Sequence, residues 1–109
     1  YITAWRGKYT LRIHKTPGTV CNAALSAEMS KYVGEILGQE NVCQAPPMKG
    51  AEDFAYVSKC VPSFFGFLGA GGADYYPLHN SRTIIDENVL PYGAAILANC
   101  AVEWLNSHK

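Results

Sequence analysis

An apolar stripe between Asn22 and Gly38 constrains the fold of this chain more than any other feature of its sequence. The stripe recurs every three or four residues and consists of Leu25, Met29, Tyr32, Val33, Ile36 and Leu37. Positions with that spacing lie on one face of an α-helix. Asparagine is a favoured N-terminal cap, and glycine is favoured just after a helix. The sequence therefore predicts an amphipathic helix that begins after Asn22 and ends before Gly38.

A second long helix is predicted at the C-terminal end of the chain, starting near Asn88. Pro91 lies in its first turns, where proline is tolerated because the backbone N–H has no helical partner there. The expected apolar face consists of Leu90, Ala94, Leu97, Ala101, Trp104 and Leu105.

A shorter helix is predicted within residues 51–60, with Phe54 and Val57 facing inward and with Glu52 and Asp53 in its first turn. Adjacent helical residues point about 100° apart, so these two acids do not form a catalytic pair by themselves. The helix dipole alone favours acids at this position. A functional role, in which one acid faces a metal pocket as a ligand or orients another ligand, stays open.

Three segments are expected to form strands. Residues 8–14 alternate polar and apolar side chains, as a half-exposed strand does, and a turn at residues 16–18 ends them. Residues 41–44 read as a short strand. Residues 64–68 form a continuous apolar run that opens into glycines, which is typical of a strand covered on both faces. The predicted fold class is α/β, with strands packed against helices.

Composition excludes several classes of function. The chain of 109 residues has a formal net charge of zero, so it lacks the basic surface that usually attracts nucleic acid. No apolar run approaches the roughly 18 residues of a membrane-spanning helix. We expect neither nucleic acid nor a membrane as a partner. The chain opens on Tyr1 without an initiator methionine, and we therefore expect it to be a fragment.

Four cysteines, Cys21, Cys43, Cys60 and Cys100, are spaced irregularly, and no Cys-x-x-Cys pair occurs. The zinc-ribbon spacing is therefore missing. We expect reduced and mostly buried thiols, and with them a cytoplasmic protein.

His79 follows the predicted strand at residues 64–68, in a loop rich in glycine and proline. Imidazole is a common metal ligand and general base, and a loop beyond a buried strand suits either role. The alternative is a surface histidine that only hydrogen-bonds Asp74 or the backbone of Asn80. The residues by themselves leave both readings open.

Four motifs together resemble the C-terminal end of the M20 family of metallopeptidases and amidohydrolases. In chain order they are "GAEDF" at residues 50–54, Leu-Gly at residues 68–69, "LHN" at residues 78–80 and "DENVLPYG" at residues 86–93. The resemblance is strongest to the branch of aminoacylases, hippurate hydrolases and auxin-conjugate hydrolases. It extends over roughly residues 9–105.

The resemblance implies that residues 1–18 end an inserted lid domain, and that residues 19–109 are the C-terminal part of a zinc-peptidase-like catalytic domain. It implies that His79 is a ligand of a centre with two divalent ions, zinc or else manganese, cobalt or nickel. Glu52 or Asp53 would lie near that centre.

The resemblance implies that the whole enzyme would hydrolyse the amide bond of N-acyl amino acids or small peptides. It is also compatible with a homo-oligomer. The family's other ligands and its general base lie upstream, so the chain alone should be inactive.

Two other functions compete with this one. The chain could be a non-catalytic binding or assembly module derived from a hydrolase fold. It could also be a redox sensor that uses Cys43 or Cys60, which would require an exposed and reactive thiol.

Overall fold

A computed structural model describes residues 3–109 of the chain. Three α-helices lie within that range: α1 at Ala23–Leu37, α2 at Phe54–Cys60 and α3 at Leu90–Ser107. Short 3-10 helices occupy Thr3–Trp5, Gln39–Asn41 and Glu87–Val89.

The predicted boundaries of α1 are confirmed. Its N-terminal cap is Asn22, whose side-chain Oδ1 accepts a hydrogen bond from the N–H of Leu25 at 2.9 Å. Its C-terminal cap is Gly38, with φ at 84°, a left-handed backbone angle that glycine adopts without a steric penalty. The Gly38 N–H donates to the carbonyl of Gly34 at 2.9 Å, which satisfies one of the last helical carbonyls.

The short helix α2 exists, but two details of its prediction are wrong. It begins at Phe54, so Glu52 and Asp53 precede the helix instead of occupying its first turn. Ala55 is its fully buried residue, whereas Val57 is 46% exposed and does not face inward. Val57 has no packing partner on another helix, because within residues 3–109 neither α1 nor α3 packs against α2.

The third helix is confirmed from Leu90, with Pro91 in its first turn. It packs against α1, and side-chain hydrogen bonds join the two helices. Asn99 donates through Nδ2 to the carbonyl of Tyr32 at 3.0 Å and to Oε2 of Glu35 at 2.9 Å. Near the end of α3, the hydroxyls of Tyr32 and Ser107 lie 3.1 Å apart.

The hydroxyl of Tyr32 also donates to Oε1 of Glu28 at 2.9 Å, so the Ser107 hydroxyl serves as its donor. The Ser107 bond acts to lower the pKa of Tyr32. The bond to Glu28, burial, and the charges of Glu28 and Glu103 outweigh it, so the pKa of Tyr32 is raised above its ordinary value. The phenol of Tyr32 therefore stays protonated at neutral pH, so its hydrogen bond to Glu28 is retained there.

The predicted apolar face of α3 is largely exposed in the described part of the chain. Leu97 is 76% exposed and Leu105 is 60% exposed. Met29 of α1 is 6% exposed and is the buried large side chain of the helix pair. The face that α3 turns toward α1 instead carries Asn99 and Cys100.

The prediction of an α/β fold is wrong for this structure. No strand occurs among residues 3–109, which are helical or irregular, and the segments 8–14, 41–44 and 64–68 form no ladder. A strand is stable when a neighbouring strand pairs with its N–H and C=O groups, and alternation of side chains does not provide that neighbour. The predicted strands packed with helices, including a strand from a lid domain, are therefore replaced by a pair of packed helices with irregular segments around it.

The chain is extended for its size. Its Cα radius of gyration is 19.5 Å, with principal extents of 64 × 40 × 20 Å. A folded domain of 100 residues has a radius of gyration of about 13 Å. Met29 and Ala55 are its buried hydrophobic residues within the described range. The α1–α3 pair is thus the main packed unit, and most other apolar side chains are left uncovered by residues 3–109.

Candidate functional site

The His79 loop, defined here as residues 77–83, holds its histidine in an unusual backbone conformation. The φ angle of His79 is 66°, in the left-handed region. Residues with a Cβ rarely occupy that region, at a cost of roughly 1–2 kcal/mol, although histidine does so more often than most. Such a conformation persists only when the surrounding structure holds it.

Four hydrogen bonds close the His79 loop. The Oγ1 of Thr83 donates to the carbonyl of Pro77 at 2.6 Å and accepts from the N–H of Asn80 at 3.3 Å. The N–H of Thr83 donates to the carbonyl of Asn80 at 3.0 Å. The N–H of Arg82 donates to Oδ1 of Asn80 at 2.9 Å. The loop is therefore a defined turn, although its side chains are mostly exposed.

The loop is anchored to its surroundings at both sides. The guanidinium of Arg82 lies 4.1 Å from the centre of the Tyr76 ring, a cation–π contact. Beyond the loop, the N–H of Asp86 donates to the carbonyl of Ala70 at 2.8 Å and brings the chain back beside the glycine-rich segment. Between these segments lies a cavity of about 280 Å³. Its larger lining side chains are Leu68, Tyr75, Tyr76, Leu78, Ile84 and Ile85.

The side chain of His79 is exposed and makes no hydrogen bond to any residue in the described range 3–109. The alternative in which it bonds Asp74 or the Asn80 backbone therefore finds no support in this geometry. A free ring nitrogen is what a metal ligand requires. Within that same range, however, no three His, Cys, Asp or Glu side chains come together in a group able to hold an ion. A ligand role for His79 thus stays a prediction, and the described part of the chain does not complete a metal site.

The two acids lie elsewhere. Glu52 accepts a hydrogen bond through Oε1 from the N–H of Phe54 at 3.3 Å, a local bond next to the start of α2. Asp53 is the residue that precedes α2, and its side chain makes no capping bond. Neither acid lines the cavity beside the His79 loop. A role for Glu52 or Asp53 near a catalytic centre stays a prediction.

The expectation of mostly buried thiols is wrong. Cys21, Cys43 and Cys60 are exposed, and only Cys100 is partly covered. Burial between α1 and α3, together with the nearby charge of Glu35, raises the pKa of the Cys100 thiol. Cysteine hydrophobicity predicted burial, but the segments that carry the other three thiols pack against little within residues 3–109.

Sequence reasoning missed the role of Thr83, whose hydroxyl closes the loop around His79. A threonine in a polar loop that follows Asn80 and Ser81 is a weak signal, since these residue types are common in turns for their own backbone contacts. It also missed a larger cavity of about 470 Å³ between residues 20–23 and 58–63, which Cys21 and Cys60 both line.

Among the described residues, none of the helices combines the length and the hydrophobicity needed to span a bilayer.

Comparison with known proteins matches residues 5–103 to the model of Peptidase family M20/M25/M40. The chain is 42% identical over 91 residues to IAA-amino acid hydrolase ILR1-like 2 of Arabidopsis thaliana, covering 82% of this chain and 21% of that protein. It is 34% identical over 93 residues to thermostable carboxypeptidase 1 of Saccharolobus solfataricus, covering 83% of this chain and 23% of that protein.

A third relative is N-acetyldiaminopimelate deacetylase of Streptococcus suis, 36% identical over 78 residues, with 72% of this chain and 20% of that protein covered. The chain thus spans about a fifth of the length of the relatives it matches. The names of these three relatives are those of an amino acid hydrolase, a carboxypeptidase and a deacetylase. Because the family match extends over nearly the whole sequence, this chain belongs to Peptidase family M20/M25/M40.

Proposed function

We propose that these residues form the C-terminal part of a metal-dependent amidohydrolase that hydrolyses the amide bond of N-acyl amino acids or small peptides. The observation that carries the proposal is the His79 loop, which presents a free imidazole on a fixed turn in a chain of this family. Auxin–amino acid conjugates are one substrate class to test first, because relatives named for them share up to 42% identity with this chain.

In this proposal His79 donates a ring-nitrogen lone pair to one of two divalent ions, zinc or else manganese, cobalt or nickel. Ions bound in such a centre polarise the amide carbonyl and activate a water molecule. The other ligands and the general base come from outside residues 3–109, because this range holds no complete group of ligands. The chain by itself is therefore inactive. Glu52 or Asp53 would act near the centre only if the rest of the protein brings them to it.

The domain boundary belongs to the same proposal, with residues 1–18 ending a lid domain and residues 19–109 belonging to the catalytic domain. The chain contacts α2 and the segment that follows it on both sides of this boundary, since the hydroxyl of Tyr56 donates to the carbonyl of Lys15 at 3.3 Å. The N–H of Val20 donates to Oγ of Ser58 at 3.4 Å, and the N–H of Asn22 donates to the carbonyl of Ser63 at 2.8 Å. A boundary there would be seen as preferential proteolysis just before residue 20. A cytoplasmic location and homo-oligomers likewise stay predictions.

The test is a His79→Ala substitution in the complete protein, with His14→Ala as the matched control. Both histidines are exposed, but His14 lies outside the His79 loop. We expect His79→Ala to lower metal content per subunit and to reduce hydrolysis of an N-acyl amino acid by more than about 100-fold, exceeding what loss of a supporting residue costs. His14→Ala should change neither quantity. If His79→Ala keeps both its metal and its activity, the ligand assignment is wrong.

The alternative is a non-catalytic binding or assembly module, and one observation favours it. Several large apolar side chains lack cover in the described part of the chain, among them Leu97 at 76% and Phe67 at 61% exposure. Surface of this kind is typical of a face that another protein surface covers. The same measurement separates the two functions, because a module of this kind would show no hydrolysis in the complete protein before any substitution is made.

A further inference from the structure

The Thr83 hydroxyl contacts the chain on both sides of His79. It donates to the carbonyl of Pro77, two residues before His79, at 2.6 Å. It accepts from the N–H of Asn80, one residue after His79, at 3.3 Å. A hydroxyl has one proton to donate and lone pairs to accept with, so a single side chain satisfies both backbone groups. Thr83 Oγ1 thus holds the backbone on both sides of His79, at the Pro77 carbonyl and at the Asn80 N–H.

That arrangement matters because His79 has a φ of 66°. A left-handed residue with a Cβ returns to ordinary backbone angles unless its neighbours prevent it. Threonine is well suited to this task, since its branched Cβ restricts rotation about χ1 and keeps the hydroxyl in place. The side chain of Thr83 is partly buried, whereas its neighbours in the loop are exposed.

We infer that Thr83 is a positioning residue for His79: its hydroxyl fixes the direction in which the imidazole leaves the loop. This inference rests on the proposed function, in which His79 is a metal ligand. The Thr83 hydroxyl makes no hydrogen bond to the imidazole of His79. It acts through the backbone, by holding Pro77 and Asn80 at a constant separation.

The structure also says which part of the loop depends on the hydroxyl. Two bonds close the turn at residues 80–83 without it: the N–H of Thr83 to the carbonyl of Asn80 at 3.0 Å, and the N–H of Arg82 to Oδ1 of Asn80 at 2.9 Å. Removal of the hydroxyl therefore leaves that turn in place and releases the link to Pro77. The loss is confined to the segment that carries His79.

The experiment compares Thr83→Val and Thr83→Ser in the complete protein, with Thr10→Val as a matched control at an exposed threonine outside the loop. Valine has the shape of threonine without the hydroxyl, and serine retains the hydroxyl. For Thr83→Val we expect zinc affinity, measured by chelator competition, to fall by about 10- to 100-fold, in the range seen when a residue that orients a ligand is lost. Thr83→Ser and Thr10→Val should stay near the unmodified protein.

Two further readouts identify the cause. Hydrogen exchange of the Asn80 amide should become faster in Thr83→Val, while that of the Arg82 amide is unchanged. At saturating zinc, kcat should recover toward the unmodified value with KM unchanged, because the defect lies in holding the ion and not in binding substrate. A general folding defect would instead raise exchange at both amides and would not respond to zinc.

The outcomes separate this inference from the proposed function. If His79→Ala loses zinc and Thr83→Val retains it, the positioning role is wrong and the function stands. If His79→Ala also retains zinc, both are wrong. If Thr83→Val is too unstable to purify, Thr83→Ser decides: zinc affinity as weak as that of His79→Ala, with the hydroxyl present, would contradict the role.

Discussion

The helix pair α1–α3 and the His79 loop are both held by side-chain hydrogen bonds, but only the helix pair adds burial. Met29 is 6% exposed where α1 packs against α3, and Asn99 bonds two groups of α1 beside it. In the His79 loop, Thr83 makes a comparable pair of bonds, yet most residues around it are exposed.

This difference separates two sources of order in the molecule. Burial of apolar surface contributes about 25 cal/mol per Å² and does not depend on direction. A hydrogen bond contributes about 1 kcal/mol net, but it fixes a direction. A helix pair that supports a fold needs the first contribution. A loop that aims one imidazole needs the second. If burial sets the helix pair apart, substitutions and labelling there should differ from those at exposed positions.

The largest effect is expected for Met29→Ala in the complete protein, with Leu97→Ala as the matched control. Met29 is 6% exposed and Leu97 is 76% exposed, although both are large apolar residues of the helix pair. We expect Met29→Ala to lower the free energy of unfolding by about 2–3 kcal/mol, since it opens a cavity between two helices. Leu97→Ala should cost less than about 0.5 kcal/mol, as an exposed substitution does. Urea denaturation measures both values.

A loss of unfolding free energy for Leu97→Ala as large as that for Met29→Ala would contradict the contrast between a buried and an exposed side of the helix pair. It would mean that the outer face of α3 is covered in the complete protein, so that the helix pair has two buried sides instead of one. The cost of Met29→Ala would still report the contact between α1 and α3.

A smaller effect concerns the thiols, compared between Cys100 in the helix pair and Cys60 at the end of α2. Burial and the charge of Glu35 raise the pKa of Cys100, so less of it is thiolate at a given pH, while Cys60 is exposed. We expect iodoacetamide to alkylate Cys100 at least about tenfold more slowly than Cys60, because the thiolate is the reactive form and access is also limited. Mass spectrometry of pulse-labelled native protein gives the two rates.

The ratio of rates should narrow as the pH rises, because a raised pKa delays ionisation of Cys100 to higher pH without preventing it. If Cys60 is the slower thiol, the surface around α2 is covered in the complete protein. Fast labelling of Cys60 would be consistent with the redox-sensor hypothesis, which requires an exposed and reactive thiol.

Local signals were enough to predict the helices and not the strands. Asn22 and Gly38 bound α1 because a cap and a left-handed glycine act within a few residues of each other. Residues 64–68 carry a strand-like pattern, but pairing depends on a neighbour far away in sequence, which the pattern does not contain. The same limit applies to burial: the predicted apolar face of α3 is largely exposed within residues 3–109, and the face that packs on α1 carries Asn99 and Cys100.

The candidate site shows a similar division. The ligand role of His79 was predicted from its motif and stays a prediction, whereas its left-handed φ could not be predicted, since nothing in "LHN" reports a backbone angle. Thr83 was missed because its hydrogen bond to Pro77, six residues earlier, depends on how the loop folds, and the residue type alone does not predict it. Whether Glu52 or Asp53 joins His79 depends on parts of the fold outside residues 3–109.

The smallest effect is expected at Asn22, which connects the start of α1 to the segment that carries Ser63. Its side-chain Oδ1 accepts from Leu25 at 2.9 Å and caps α1, while its backbone N–H donates to the carbonyl of Ser63 at 2.8 Å. Asn22→Ala removes the first bond and keeps the second. We therefore expect a loss of about 1 kcal/mol in the free energy of unfolding, the usual cost of a missing cap.

The control is Asn22→Asp, which keeps an acceptor for the Leu25 N–H and should stay within a few tenths of a kcal/mol. Hydrogen exchange then distinguishes the capping bond from the bond to Ser63. The Leu25 amide should exchange faster in Asn22→Ala, whereas the amide of residue 22, bonded to Ser63, should not change. If both amides lose protection together, the start of α1 and the segment that carries Ser63 unfold as one unit. The helix pair and the segment around Ser63 would then be stabilised jointly, and burial between α1 and α3 would not be what sets the helix pair apart from the segments around it.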